Sequence, residues 1–519
     1  MENRIDMNPV TESIPKEKFR FVQQNERLHD QKLETKPIGY FQDAWNRFRK
    51  NKSAVVAFAL IIILALFALI VPFVSSYTVT FRDGYYKTVL PKNQLFADLH
   101  LGFWDGGKTS HENEAGYLYL KAIGQETGRD VILSESAPKT DATGATYYDV
   151  RVDSYAQVGF VFVNLSTAEY EALQQYQDEN NVQVIYPLQK THNTSYVLGN
   201  GGANFWYKLK NEAQGSSGMP ELDENGNYIP NYLTATTADK AGYTSKMRIA
   251  GDDGSSGEWY VYAQKNQTGY RCRVDYYEYF RYKNGFEPIF LFGTNVHGQD
   301  IFTCLACGAR LSFLLAIVVS LINFVIGSVY GAIEGYYGGT ADIIMERISD
   351  ILYEVPFIVV ATLFQLHLAD KVGTLPSLLF AFVLTGWVSE ASQVRMQFYR
   401  FKGQEYVLAA RTLGATDRRL IFKHIFPNSL GTIVTGSVLS IPGVIFSESM
   451  LSYLHIVNLE TSSLTSIGTM LSNGQGYLST YPHIILFPAL FISILEISFN
   501  LFGNGLRDAL NPSLRGADA

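Results

Sequence analysis

Long apolar runs set the limits on what this chain can become. Residues 53–74, SAVVAFALIIILALFALIVPFV, carry no charge. A helix rises about 1.5 Å per residue, so about 20 such residues cross the ~30 Å hydrocarbon core of a bilayer. Further runs of this kind fall at about 311–334, 352–368, 376–394, 430–454 and 484–502. Inside lipid every backbone donor and acceptor must be paired within the protein, so each run is expected to be a helix. Six spans return the chain to the side on which it began. Arg47, Arg49, Lys50 and Lys52 stand just before the first run and put that side in the cytoplasm. Before them Ile38, Phe41, Trp45 and Phe48 recur at helical spacing, the pattern of an interfacial helix. Residues 1–36 are polar and without apolar period, as a loosely ordered tail would be.

The mean hydropathy of zero over 519 residues averages two unlike materials. Residues 77–288 are polar and rich in Tyr, Gly, Asn and Asp, a block of roughly 200 residues that can bury its own core. It follows the first span, so it is expected outside the cell. Residues 148–152 and 159–165 read as strands, Ser166 and Glu169 as a capping box opening a helix to 177, and 182–186 as a returning strand. That is one α/β unit. Residues 211–229 and 250–257 read as surface loops, and 270–282 as a last strand or two. Residues 102–109, GFWDGGKT, satisfy the P-loop pattern, but the stretch before them is mixed rather than a buried strand, so a glycine-rich turn is expected.

The net charge of −7 gives no reason to expect nucleic acid as a partner. The three cysteines make no disulfide framework, and Cys304 and Cys307 read as small packing residues beside a span. The first apolar run lies far from the start and lacks a small-residue cleavage pattern, so it is expected to be a retained anchor.

Residues 405–428, EYVLAARTLGATDRRLIFKHIFPN, form a basic amphipathic stretch between two apolar runs. Good helix formers from Glu405 end at Gly414; a second short helix is expected from Thr416 or Asp417, whose oxygens can cap it, to a stop before Pro427. Leu420, Ile421, His424 and Ile425 share one face of it, and Arg411, Arg418, Arg419 and Lys423 point outward. This hinged pair resembles the cytoplasmic coupling loop of ABC-importer permeases, in which Ala-Ala, three residues, Gly and a later Ile-x-Leu-Pro recur. Ala409, Ala410, Gly414, Ile425 and Pro427 fill those places; Leu408 and Phe426 depart from the pattern, and Glu405 is the nearby acid. The resemblance implies that residues 405–427 sit in a cleft of an ATPase subunit. A solvated interhelical loop is the alternative. Arg395, Arg400, Lys402, Arg411, Arg418, Arg419 and Lys423 against Glu405 and Asp417 also suit a cytoplasmic face.

From 291 the chain reads LFGTNVHGQDIFTCLACGARLSF, similar to the C-type permease subunit of oligopeptide and dipeptide importers. Gly293, Thr294, Gly298, Asp300, Gly308, Ala309 and Arg310 match that subfamily's series, while Asn295 and Gln299 depart from it. Gly327, Gly331 and Gly335 then repeat every four residues, a flat helix face for close packing. Residues 335–350 resemble the family's next cytoplasmic turn, and 503–516 its short cytoplasmic end. Glu354, Glu390, Glu448, Glu496 and His367 lie in or at the edges of spans, where an ionisable group is a pathway candidate by default. Glu448, in ESMLSYL, resembles a family stretch, and structural or gate-packing roles are expected for it and for Glu354.

These readings give an all-α polytopic membrane protein of six transmembrane helices, a type I ABC importer permease, with an inserted α+β extracytoplasmic domain. Its parts are the tail and interfacial helix at 1–52, the first span at 53–76, the domain at 77–288, a core at 289–505 holding the coupling loop at 395–428, and a tail at 506–519. The resemblance implies a heterodimer with a second permease, two ATP-binding subunits carrying ATP and Mg, and an extracytoplasmic peptide-binding lipoprotein that delivers oligopeptide substrate. It also implies a bacterial cell membrane with both termini cytoplasmic. No catalytic or metal site is expected in this chain. The inserted domain either helps dock the receptor and wall the path or is a passive elaboration. Nickel and glutathione importers share these signatures, and a ligand-sensing membrane receptor is the reading from another class.

Overall fold

The computed structural model describes residues 40–99, 102–140, 144–190, 200–211, 213, 218–235, 244–245, 259–461 and 464–510. The tail at 1–36, Ile38, the loop expected at 250–257 and the chain end from 511 lie outside them. Helix α1 (Tyr40–Lys50) leads into α2 (Lys52–Val74), whose first turn is capped by the Asn51 side chain accepting from the Ala54 amide. Phe48 turns into the bundle against Phe58 and Phe502, while Trp45 stays exposed. Ala54, Ala57 and Ala68 are buried, whereas Val56, Ile63, Leu69 and Phe73 are bare, as a helix facing lipid must be.

After α2 the chain is clamped against the segment that enters the next span. The amides of Asp83, Thr88 and Lys92 donate to the carbonyls of Gly298, Asn295 and Phe290, and the Thr294 amide donates to Val89. The buried Thr294 hydroxyl donates to the Tyr86 carbonyl and accepts from the Val89 amide, at 2.7 and 3.0 Å. Gly293 and Gly298 both have positive φ, and a Cβ on Gly298 would lie 1.9 Å from the Asp83 carbonyl oxygen.

The inserted domain hangs from this clamp. It begins with α3 (Gln94–Asp98), β1 (Gly107–Asn113), α4 (Glu114–Thr127), β2 (Ile132–Glu135), β3 (Lys139–Thr140) and β4 (Thr146–Asp153). Strand β4 is central, antiparallel to the other three, and α4 covers the sheet through Tyr117, Leu120 and Ile123. Lys108 and Thr109 therefore lie on a strand, with no helix N-terminus to receive a phosphate. Next come β5 (Phe160–Leu165), α5 (Thr167–Asn180) and β6 (Ile185–Tyr186), followed by β7 (Thr234–Ala235), β8 (Thr244–Ser245), β9 (Trp259–Val261), β10 (Ala263–Lys265) and β11 (Tyr270–Asp275). The capping box at Ser166 and Glu169 is formed, and the helix it opens runs to Asn180. Strands β5 and β6 both pair antiparallel with β11, so β5-α5-β6 is a crossover around it. Strand β10 also pairs with β11, and β9 joins β7 to β8.

The aromatic run expected as strands over 270–282 is strand only to Asp275; helix α6 (Tyr276–Asn284) follows. Asp275 accepts from the Tyr277 amide as N-cap, Glu278 lies in the first turn and Arg281 and Lys283 in the last, which outweighs the β preference of the tyrosines. Fully buried Arg273 joins the layers. Its guanidinium donates to both Glu126 carboxylate oxygens on α4 and to the carbonyls of Ala203 and Pro187, and it lies 3.9 Å from the Phe160 ring centre. Burial pushes the Cys272 thiol up to about 12, leaving it an inert packing group.

The bundle continues with α7 (Ile301–Tyr337), α8 (Gly339–Tyr353), α9 (Phe357–Val372), α10 (Thr374–Phe401), α11 (Glu405–Thr412), α12 (Asp417–Arg419), α13 (Phe426–Tyr453), α14 (Ile467–Gly474) and α15 (His483–Leu510). Asp300 caps α7 through the Phe302 and Thr303 amides. Residues 335–350, expected as a turn, are mostly helix: α7 stops at Gly338, and α8 starts at once. The third span is not one straight run either, because α8 and α9 meet at 72° across the break containing Pro356, which has no amide to carry a helix on. Among the described residues five helices are long and apolar enough to cross a membrane, and six if that bent pair counts as one span.

Replacing Glu126 by Ala leaves the Arg273 charge buried without its carboxylate, which costs about 3–5 kcal/mol. Limited proteolysis of membranes carrying Glu126→Ala should cut the inserted domain at a lower temperature than wild type while leaving the spans protected; equal resistance would deny the pair this role.

Candidate functional site

At the end of the bundle away from the inserted domain, the chain turns twice to form a knuckle. Helix α11 presents Val407 to the core, where it is buried with Leu420, Ile421 and Ile425 against Tyr336, Val394 and Phe398. Gly414 makes the corner at φ 80°. Thr416 occupies the N-cap of α12 without a side-chain bond, and Asp417 does not cap either: its carboxylate accepts the Tyr336 hydroxyl from the end of α7. The expected stop before Pro427 is absent. Residues 420–425 form one π-helical turn that runs into α13, with Pro427 in its first turn, where the missing amide is tolerated.

The knuckle's outer surface is apolar as well as basic. Arg411, Arg418, Arg419 and Lys423 are exposed, as are Glu405 and Ala409; Ala410 is half-buried. Tyr406, Ala409 and Leu413 form a stripe along α11, with Leu408 beside it, and Leu413 is 88% exposed. Phe422 stands out from the π turn. Sequence reasoning missed Leu413 and Phe422; the available signal was a large apolar residue next to the corner glycine and another on the face opposite Leu420 and Ile425.

Behind the knuckle, α7 and α10 touch backbone to backbone. A Cβ on Gly327 would lie 2.6 Å from that of Glu390, one on Gly331 2.2 Å from the Ala391 carbonyl oxygen, and one on Gly335 2.7 Å from the Phe398 Cβ. An ionic cluster locks the same end. Arg395 bonds Asp342 at 2.6 Å and Glu346 at 2.8 Å on α8 and lies 3.4 Å from Glu334, while Lys402 donates to the Gly335 carbonyl.

Toward the middle of the bundle a cleft of about 630 Å³ opens between α10, α13 and α15. Ser389, Glu390, Gln393, Thr435 and Ser440 line it, with Arg400 and Arg507 at the knuckle side. Glu390 is buried and accepts from Ser437 on α13 at 3.2 Å. Glu448 lies elsewhere, buried and accepting from Ser312 on α7 and Ser452 at 2.9 and 3.2 Å, a carboxylate used in packing. Glu354 is exposed at the bend between α8 and α9, His367 is exposed on α9, and Glu496 is half-buried on α15. The structure thus brings only Glu390 to the cleft. Among the described residues no group of His, Cys, Asp or Glu side chains converges as metal ligands would.

Residues 324–516 match the binding-protein-dependent transport system inner membrane component, and residues 39–94 match the N-terminal TM domain of oligopeptide transport permease C. The oligopeptide transport system permease protein OppC of Bacillus subtilis is 43% identical over 224 residues, 43% of this chain and 72% of that one. The chain belongs to that permease family. The dipeptide transport system permease protein DppC of Bacillus subtilis is 40% identical over 225 residues, 43% of this chain and 69% of its own. OppC of Haemophilus influenzae is 38% identical over 230 residues, 44% and 72% of the two chains. A solved structure of the inward-facing MetNI methionine ABC transporter overlaps with a TM-score of 0.33 at 18% identity, covering 40% of this chain and 96% of its own, too slight a likeness to argue from. The permease-family segment includes the knuckle and all three packing glycines; residues 95–323 fall between the two matched stretches.

Gly331→Leu should separate α7 from α10 and cost about 1–3 kcal/mol through overpacking. The purified permease should then melt several degrees lower in detergent, whereas Gly443→Ala, where nothing lies within 4 Å of the added methyl group, should melt like wild type.

Proposed function

We propose that this chain is the permease subunit of an ATP-driven oligopeptide importer, forming the translocation path with a second permease. The observation that supports this most strongly is the match of residues 324–516, knuckle included, to the binding-protein-dependent permeases, together with 43% identity to an OppC. The knuckle seats in a cleft on an ATPase subunit: Tyr406, Leu408, Leu413 and Phe422 supply apolar contact, and the arginines around them supply steering and register. ATP and Mg are bound and ATP is hydrolysed on two partner subunits. The π turn continues into α13, so movement of the knuckle is carried to the wall of the cleft. In this reading that cleft, with Glu390, Gln393 and Thr435, is part of the path, and both chain ends face the cytoplasm of a bacterial cell. A peptide-binding lipoprotein delivers cargo on the side of the inserted domain, which docks that receptor or walls the path. The family relatives favour peptide over nickel or glutathione, and they favour transport over ligand sensing.

Uptake of labelled di- to octapeptides in cells lacking this chain tests the proposal. Wild type should restore ATP-dependent uptake, and Leu413→Asp, a change on an exposed tip, should lower it at least about tenfold, equivalent to ~1.4 kcal/mol of coupling contact, with normal membrane insertion. Full uptake by the variant would remove the tip from the ATPase interface; no uptake by wild type would remove peptide as cargo.

A further inference from the structure

A second surface on this chain also exposes large apolar side chains, and it lies on the inserted domain. On and just after α3, Leu95, Leu99 and Phe103 are 64%, 59% and 52% exposed. The polar residues of this helix have partners within it: Asn93 caps it, and Gln94 is hydrogen-bonded to Asp98. A domain surrounded by water rarely gathers such residues without a partner.

The position of the patch is fixed by a chain of rings. Phe103 lies 5.2 Å from Phe96, which stacks on Trp104 at 6.3 Å. Trp104 donates its indole N–H to the Leu291 carbonyl and lies 6.0 Å from Phe487 on α15. Phe487 stacks on Phe292 at 4.0 Å, Phe292 meets Phe302, and Phe302 meets Phe67 of α2. Phe487 is one helical turn, about 6 Å, below His483 at the start of α15. Trp104 therefore lies beside the second turn of α15, and tryptophan and tyrosine gather where spans enter the hydrocarbon. Lys108 lies over the ring of Tyr481, two residues before the start of α15.

The sides of the bundle nearest the patch are themselves bare. Leu486 and Leu490 are exposed on the same turns of α15 as Phe487, and Ile70, Phe73 and Val74 are exposed on α2. The ring chain from Phe103 through Phe96 and Trp104 to Phe487 joins the patch to that turn of α15. We infer that Leu95, Leu99 and Phe103 insert into the bilayer leaflet on the domain side, as a lipid wedge that holds the inserted domain down beside α2 and α15. The wedge adds a lipid contact to the clamp at 83–92 and the Trp104–Phe487 contact, which already join the domain to the bundle.

The test uses the full chain with its copurifying subunits in nanodiscs of phosphatidylethanolamine and phosphatidylglycerol. With the native cysteines replaced by alanine, nitroxide labels at Leu95→Cys, Leu99→Cys and Phe103→Cys are compared with Leu490→Cys and with Glu171→Cys on α5. The expected result is the pattern of Leu490→Cys at all three wedge positions, with collisions frequent with oxygen and rare with a water-soluble nickel chelate. Accessibility to the nickel chelate equal to that of Glu171→Cys would place the face in water and overturn the inference. Shielding from both agents would overturn it in favour of a protein subunit. Wild-type chain supplies a readout that needs no substitution: a phospholipid with a photoactivatable acyl chain should label the peptide containing Leu95 and Leu99, and its absence from the labelled peptides would count against insertion.

Discussion

The clamp between residues 83–92 and 290–300 governs how two kinds of material coexist in one chain. A membrane helix and a soluble domain joined in series keep a fixed geometry when the backbone at the junction is hydrogen-bonded within the protein rather than to water. Here the two junctions bond to each other. Thr294 ties two points of the opposite segment, Tyr86 and Val89, with one hydroxyl, and Gly293 and Gly298 let the backbones approach closely enough for the amides to pair. The result is a closed base. Because the chain leaves and returns through the same few ångströms, what lies between can be a short loop or a domain without moving α2 relative to α7, the usual condition for a tolerated insertion. The family match ending at residue 94 falls at the exit of this base.

At the other end the same need for fixed geometry is met with different chemistry. Three glycines bring α7 and α10 into backbone contact, and Arg395 gathers carboxylates from α7 and α8 around it. The knuckle is fastened to this block by Val407, Leu420 and Ile425 in the core and by the Tyr336 hydroxyl on Asp417. Both short helices are therefore held on their inner faces and free on their outer ones. Leu413 and Phe422 thus stand on a packed base rather than on a free loop, and the π turn joins that base to α13 without a break.

Much of this was legible in the sequence because lipid imposes a simple rule. Uninterrupted apolar runs had to be helices, Gly414 had to be a corner, and glycines at 327, 331 and 335 had to share a face. Helix ends were harder. Pro427 fits equally the stop of one helix and the first turn of the next, and only the π turn before it decides. Residues 335–350 resembled a turn, yet positive φ at Gly338 and Gly339 alone ends α7 and begins α8. In the inserted domain, a run of tyrosines looked like strand until Asp275 found the Tyr277 amide. Exposure was the least legible property. In a membrane chain a leucine facing lipid, core or a partner subunit reads the same in one dimension, so Leu413 and Phe103 became distinct only when their neighbours were placed.

The cleft between α10, α13 and α15 takes its meaning from what surrounds it. Its polar lining would be costly against lipid, since Ser389, Gln393 and Thr435 have no reason to be there unless water, solute or another polar helix fills the space. Glu390 makes the point most sharply. Its Cβ lies against Gly327 on the closely packed side, while its carboxylate accepts from Ser437 across on α13. One side of α10 is thus committed to close packing and the other to a polar space, and α13, continuous with the knuckle, forms the opposite wall. The width of that space is set by the distance between α13 and an α10 held against α7 by the glycine contact.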